Sequence, residues 1–121
     1  MKYAVVTFTQ NGDQIAEILA LSLNIDLYSK KKHSDFEFNL VSKNVMENYR
    51  CIIFISSTGI AVRAIAPYIK SKDMDPAVLV IDNSCNYVIS LLSGHLGGAN
   101  ELAFKVSKLL DAKRSEEHTS E

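Results

Sequence analysis

The chain of 121 residues has no tryptophan, only two prolines and only two cysteines. Cys51 and Cys85 stand far apart, with no C-x-x-C pair and no Cys/His group at metal-ligand spacing, which argues against a zinc site and for a reduced, cytoplasmic protein. No apolar run approaches the roughly 18 residues of a membrane span. The opening MKYAVVTFT is too short and too interrupted by threonine to be a signal peptide. Charge of one sign is also lacking: 13 Lys and Arg against 14 Asp and Glu give a formal net charge of −1. A domain of that balance has no basic excess to draw it to nucleic acid. Two prolines and five glycines are too few for a fibrous or low-complexity chain, and 47% hydrophobic with 22% charged residues is the composition of one ordinary globular domain.

Within that frame the chain alternates strand and helix patterns. Tyr3 to Thr9 is apolar and β-branched, and Asn11 or Asp13 is placed to cap the helix in which Ile15, Ile18, Leu19 and Leu23 make an inward stripe. NIDLYS, residues 24–29, is a short strand, and KKKHSDFEFN after it reads as a solvated loop. A weak helix over Leu40 to Tyr49 leads to CIIFIS, residues 51–56, whose unbroken apolarity suits a central strand. Ala61, Ala64, Ile65, Tyr68 and Ile69 then share a helical face that Pro67 must kink or restart. Ala77 to Ile81 and Tyr87 to Leu92 are strands joined by only the short polar link Asp82 to Asn86, too short for a parallel crossover, so they form an antiparallel hairpin. From Gly98 a helix period returns through Leu110. The expectation is a layered α/β/α domain with a mixed, mostly parallel sheet.

The last eight residues, RSEEHTSE from Arg114 to Glu121, break this pattern. They resemble the peptide read in one frame from a common sequencing adapter, and are set apart from a truncated domain of residues 1–113.

Two segments carry the candidate chemistry. In LLSGHLGGANELA, Gly94, Gly97 and Gly98 precede a helix whose first amides lack intrahelical partners, a place suited to an anion or a developing negative charge. Ser93 and Asn100 add neutral hydrogen-bonding groups, and His95 titrates near neutral pH. In SSTGIAVRAIAP, Ser56, Ser57 and Thr58 supply hydroxyls, Gly59 a permissive point and Arg63 a cation one turn into the helix. Ligands of α/β sheets gather beyond the carboxyl ends of the strands, and both segments are expected on that rim. Bland readings stand beside these: Ser57 or Thr58 as a helix cap, His95 as a structural hydrogen-bonder, Arg63 paired with Asp73 or Asp75, Cys51 and Tyr68 as core. Neither glycine segment reads as a dinucleotide or P-loop fingerprint.

The pieces G-I-A-V-R-A-I-A-P at Gly59 to Pro67, D-P-A-V at Asp75 to Val78 and L-L-S-G-H-L-G-G-A-N at Leu91 to Asn100 resemble, in order and spacing, the amino-terminal part of the cobalamin-biosynthesis hydrolase family CbiG. That resemblance implies action on cobalt-precorrin-5A, a cobalt-bearing tetrapyrrole whose δ-lactone is opened by water with release of acetaldehyde. The cobalt belongs to the substrate, so no cofactor is implied for the protein. It also implies a further carboxy-terminal domain that this chain lacks. Mapped onto this chain by its chemistry, that reaction is expected to use His95 as base with Glu101 as the alternative carboxylate, amides around Gly97 and Gly98 as oxyanion donors, and Thr58, Gly59, Arg63, Ser93, Gly94 and Asn100 as substrate contacts. The competing expectations are a non-catalytic α/β module binding a tetrapyrrole or nucleotide, and an interaction domain.

Overall fold

The computed structural model describes residues 1–93, 98–111 and 113–114. Strands β1 (Tyr3–Thr7), β2 (Ile25–Ser29), β3 (Cys51–Ile55), β4 (Ala77–Ile81), β5 (Tyr87–Ser93) and the short β6 (Lys113–Arg114) form one sheet in the order β2-β1-β3-β4-β5-β6. Helices α1 (Gln10–Ala20), α2 (Phe38–Asn48), α3 (Thr58–Ile65) and α4 (Gly98–Leu110) connect them. β1 to β4 are parallel, β5 runs antiparallel to β4, and β6 returns parallel to β5. The mixed, mostly parallel α/β sheet and the hairpin after β4 are as the sequence predicts.

The period-2 geometry of strands sorts the core into two layers. Val5, Ile53, Ile55, Leu79 and Ile81 face α1 and α4, where Ile15, Leu19, Ala99, Leu102 and Val106 meet them. Ala4, Val6, Ile52, Phe54, Val78 and Val80 face α2 and α3, against Val45, Met46, Ala61, Ala64 and Ile65. β3 and β4 carry apolar side chains on both faces because helices cover both, and each buried Ile, Val or Phe contributes on the order of 1.5–3 kcal/mol. β5 differs: its register with β4 shifts between Val78 and Leu79, so one extra residue bulges out. The bulge puts both Leu91 and Leu92 against the α2–α3 layer, just before the glycine-histidine segment.

Several local expectations are corrected. Thr9, not Asn11 or Asp13, caps α1, its hydroxyl accepting from the Gly12 amide at 2.9 Å. Asp13 is instead buried, taking hydrogen bonds from the hydroxyls of Thr7 (2.6 Å) and Ser29 (2.8 Å). Ile18 sits on the outer side of α1, because the inward stripe is made by Ile15, Ala16 and Leu19. The expected loop over 30–39 ends early: Phe38 opens α2, and Phe8, Phe36 and Phe38 pack together, which releases apolar area a solvated loop would expose. Pro67 acts as predicted, α3 ending at Ile65 and passing into a 3-10 turn over Ala66–Tyr68.

Candidate functional site

Topology decides where each candidate side chain can act. The ends of β1, β2 and β3 share one edge of the sheet, and α1, α2 and α3 all start beyond that carboxyl edge. β5 runs the other way, with Ser93 opposite Ala77, the first residue of β4. The loop after β5 therefore leaves from the amino edge, and α4 is the one described helix that starts there.

Two hollows lie along that amino edge. The first, about 320 Å³, is bordered by Met1, Arg50, Cys51, Asp73, Asp75 and Gly98, among others. The second, about 510 Å³, is bordered by Lys2, Asp26, Tyr28, Asn44, Asn48 and by Met1, Tyr49 and Arg50, the three residues it shares with the first. Arg50 enters directly before β3, and its carbonyl accepts the Ala77 amide at 2.9 Å, which ties the residue to the start of β4. Asp75, buried, receives the Lys70 amide on both carboxylate oxygens at 2.9 and 3.2 Å. This carboxylate of the D-P-A-V segment is a strap between the turn after α3 and β4.

The second hollow has a wall of chained hydrogen bonds. Asn44 Nδ2 can only donate to the Tyr28 hydroxyl (3.1 Å), and the Tyr49 hydroxyl can only donate to the Asp26 carboxylate. The remaining bond, 2.6 Å between the two phenols, must then run from Tyr28 to Tyr49. Lys2 Nζ closes the chain on the other Asp26 oxygen at 2.8 Å. The Lys2 and Tyr49 hydrogen bonds hold the Asp26 carboxyl below its ordinary range, whereas burial first, and Asp26 and Tyr28 next, push the Tyr49 phenol well above its own. At neutral pH Asp26 is charged and Tyr49 is not. Burial also raises the Cys51 thiol, against a weaker opposing pull from Arg50, and raises Cys85, which Asp82 reinforces. Neither thiol is poised as a nucleophile.

Residues 41–115 match the family described as cobalamin synthesis G N-terminal. The chain belongs to this family. It is similar to cobalt-precorrin-5A hydrolases from Priestia megaterium, 41% identical over 91% of the chain, and from Salmonella typhimurium, 39% identical over 90%. Its fold is similar to the crystal structure of a cobalamin biosynthesis protein G homolog from Sulfolobus solfataricus, with a TM-score of 0.74 and 29% identity over 93% of the chain. The chain spans about a third of the length of these relatives, 33% of each hydrolase and 35% of the crystallised chain.

The two candidate segments do not share one rim, and the expectation that both lie at the carboxyl edge is corrected. Ser57 caps α3 by accepting the Ile60 amide at 3.3 Å, Ser56 is buried with its hydroxyl donating to the Ser57 carbonyl, and Thr58 is the exposed first helical residue. Gly59 is an ordinary helical residue with open space where a Cβ would stand, so no close approach demands glycine there. Arg63 is exposed on α3 and makes no ion pair among the described residues; Asp75 serves Lys70 instead. This group starts at the carboxyl edge and belongs to the α2–α3 face. Ser93 and Gly98 are at the amino edge, and α4, carrying Asn100 and Glu101 on its solvent side, packs on the opposite face. A hairpin reverses direction, and that reversal was implicit in the five-residue link the sequence shows. Gly94, His95 and Gly97 lie outside the described residues, as does the side chain of Ser93.

Cys51, expected as core, is half-buried and borders the first hollow; Tyr68 packs at the edge of the α2–α3 core. Sequence reasoning missed Lys2, Asp26, Tyr28, Tyr49 and Arg50. They belong to no motif: Lys2, Tyr49 and Arg50 precede strands, and Asp26 and Tyr28 lie within β2.

Proposed function

We propose that this chain is the amino-terminal third of a hydrolase of cobalamin biosynthesis that opens the δ-lactone of cobalt-precorrin-5A and releases the two-carbon fragment as acetaldehyde, giving cobalt-precorrin-5B. The observation that supports this reading is where the described parts of the S-G-H-L-G-G-A-N segment stand: Gly98 borders the first hollow at the amino edge, where α4 begins, and Ser93 pairs with Ala77, which borders it too. His95 is two residues from Ser93 and three from Gly98 along the chain.

In this reading His95 takes a proton from water as the oxygen attacks the lactone carbonyl. The carbonyl oxygen gathers negative charge, which the unpaired amides and positive dipole end at the start of α4 stabilise. Collapse breaks the acyl–oxygen bond, leaving a carboxylate and a hydroxyl; the hydroxyl then loses its proton as the carbon–carbon bond from its carbon to the macrocycle breaks, the macrocycle takes the electron pair and a proton, and acetaldehyde leaves. Glu101 is the carboxylate next along α4, and Ser93, Gly94, Gly97 and Asn100 are the polar and permissive groups around the reacting ester. Thr58, Gly59 and Arg63 have no part at this hollow; a role for them in binding needs a second contact surface. Cobalt arrives with the substrate.

The test uses the sequence in its full-length context, or grafted in place of the matching third of the Priestia megaterium relative. Acetaldehyde released from cobalt-precorrin-5A is the readout. His95→Ala is expected to lower turnover about 100-fold or more with substrate affinity nearly unchanged. Equal turnover removes His95 from the mechanism, and lost affinity with intact turnover moves it to recognition. A protein that is shielded from thermal unfolding by tetrapyrrole, yet releases no acetaldehyde, is a binding module instead.

A further inference from the structure

We propose that Arg50, at the junction of the two hollows, is the residue that seats a carboxylate arm of an anionic ligand at the amino edge. The inference rests on the reading above for the identity of the ligand, a macrocycle carrying peripheral acid groups.

The argument is one of which charges remain available. Six charged groups border the two hollows: Lys2, Arg50, Asp26, Asp73, Asp75 and the amino terminus at Met1. Asp26 is taken by Lys2 at 2.8 Å and by the Tyr49 hydroxyl. That same pair occupies Lys2. Asp75 is taken by the Lys70 amide. Asp73 also has an interaction of its own. Arg50 is exposed and forms no ion pair among the described residues, although three carboxylates border the same space.

Its position adds to this. Arg50 borders both hollows, and the first is also bordered by Gly98, the first residue of α4, so a guanidinium and the positive end of a helix of 13 residues face one space. A planar guanidinium offers paired donors matched to a carboxylate. Its backbone is fixed on one side by the Ala77 amide, and the adjacent Tyr49 is fixed by the phenol chain to Asp26 and Tyr28. The cation is thus presented from a rigid base, which reduces what binding must spend on ordering it.

The test compares Arg50→Gln and Arg50→Lys with wild type in the full-length or grafted hydrolase. The probes are cobyrinic acid, whose peripheral arms are free carboxylates, and its heptamethyl ester, whose arms are uncharged. Arg50→Gln is expected to weaken cobyrinic acid about tenfold or more and to flatten the salt dependence of its binding, while affinity for the ester stays as in wild type. Arg50→Lys recovers part of the loss, since it restores charge without the fork. With cobalt-precorrin-5A the loss falls on KM rather than kcat. Equal binding of cobyrinic acid by wild type and Arg50→Gln overturns the proposal, as does an equal loss for acid and ester. If the wild type binds cobyrinic acid through Arg50 but releases no acetaldehyde, the hydrolase reading fails and the carboxylate seat stands.

Discussion

The two edges of the sheet are built from similar residues and do different work. At the carboxyl edge Thr7, Asp13 and Ser29 form a closed cluster: two hydroxyls from neighbouring strands donate to one buried carboxylate oxygen. Thr9 reaches across to Asn83 at 3.0 Å, and Gly12 lies so close that an added Cβ would stand 3.3 Å from Thr9 Oγ1 and 3.4 Å from Thr7 Cβ. Polar groups there satisfy one another. The amino edge has a comparable stock of hydroxyls and carboxylates, yet it keeps two hollows, an arginine that makes no ion pair among the described residues, and the start of α4. General experience with α/β sheets favours the first edge for ligands. Here the antiparallel β5 ends at the second edge, where α4 starts.

Three variants sharpen or break this contrast, alongside those at His95 and Arg50. The largest stability effect is expected from Asp13→Ala, which leaves the hydroxyls of Thr7 and Ser29 buried without their acceptor and so costs roughly 1–3 kcal/mol in chemical denaturation. Cobyrinic acid affinity should not change, since the cluster is at the far edge. A loss of affinity without a loss of stability would bring the carboxyl edge back as the site.

Gly59→Ala comes next, with the opposite sign. The residue is helical, and an added methyl meets nothing within 4 Å, so thermal unfolding should show a gain of about 0.5–1 kcal/mol. A destabilised variant would show that glycine is needed there after all.

The smallest effect is at Asp26. Its folded pKa is lowered by Lys2 and Tyr49, so its contribution is present above the unfolded carboxylate value of about 4 and disappears as pH falls through the lower folded value. The pair is solvent-exposed, and Asp26→Asn should cost no more than about 1 kcal/mol at pH 7, with the difference from wild type closing in acid. Tyr49 works in the other direction: its pKa is raised, so stability present below about pH 10 declines as pH rises beyond that. Denaturation midpoints from pH 2 to 11 check both, and a flat difference across the acid range would mean the hydrogen-bond chain is not formed in solution.

Much of the scaffold was legible because its signals are local. CIIFI is apolar without a break, which suits a strand covered on both faces, and Pro67 lacks a donor, which predicts a kink or restart of the helix. The family was legible for a similar reason, since its three segments are contiguous strings in fixed order. The carboxyl-edge cluster was not, because Thr7, Asp13 and Ser29 are polar residues that look like caps and turns until two parallel strands bring their ends to the same carboxylate. Arg50, Tyr49, Tyr28, Asp26 and Lys2 were equally silent, scattered over 49 positions of the chain with no spacing to mark them.

What the sequence determined alone was the alternation of strand and helix, the hairpin after β4 and membership of the CbiG group, each set by neighbouring side chains or by the length of a link too short to cross the sheet. What only the tertiary structure decided was which loops share an edge. That depends on strand direction and on the layer a helix packs against, properties that belong to the assembled sheet and to no single stretch of chain.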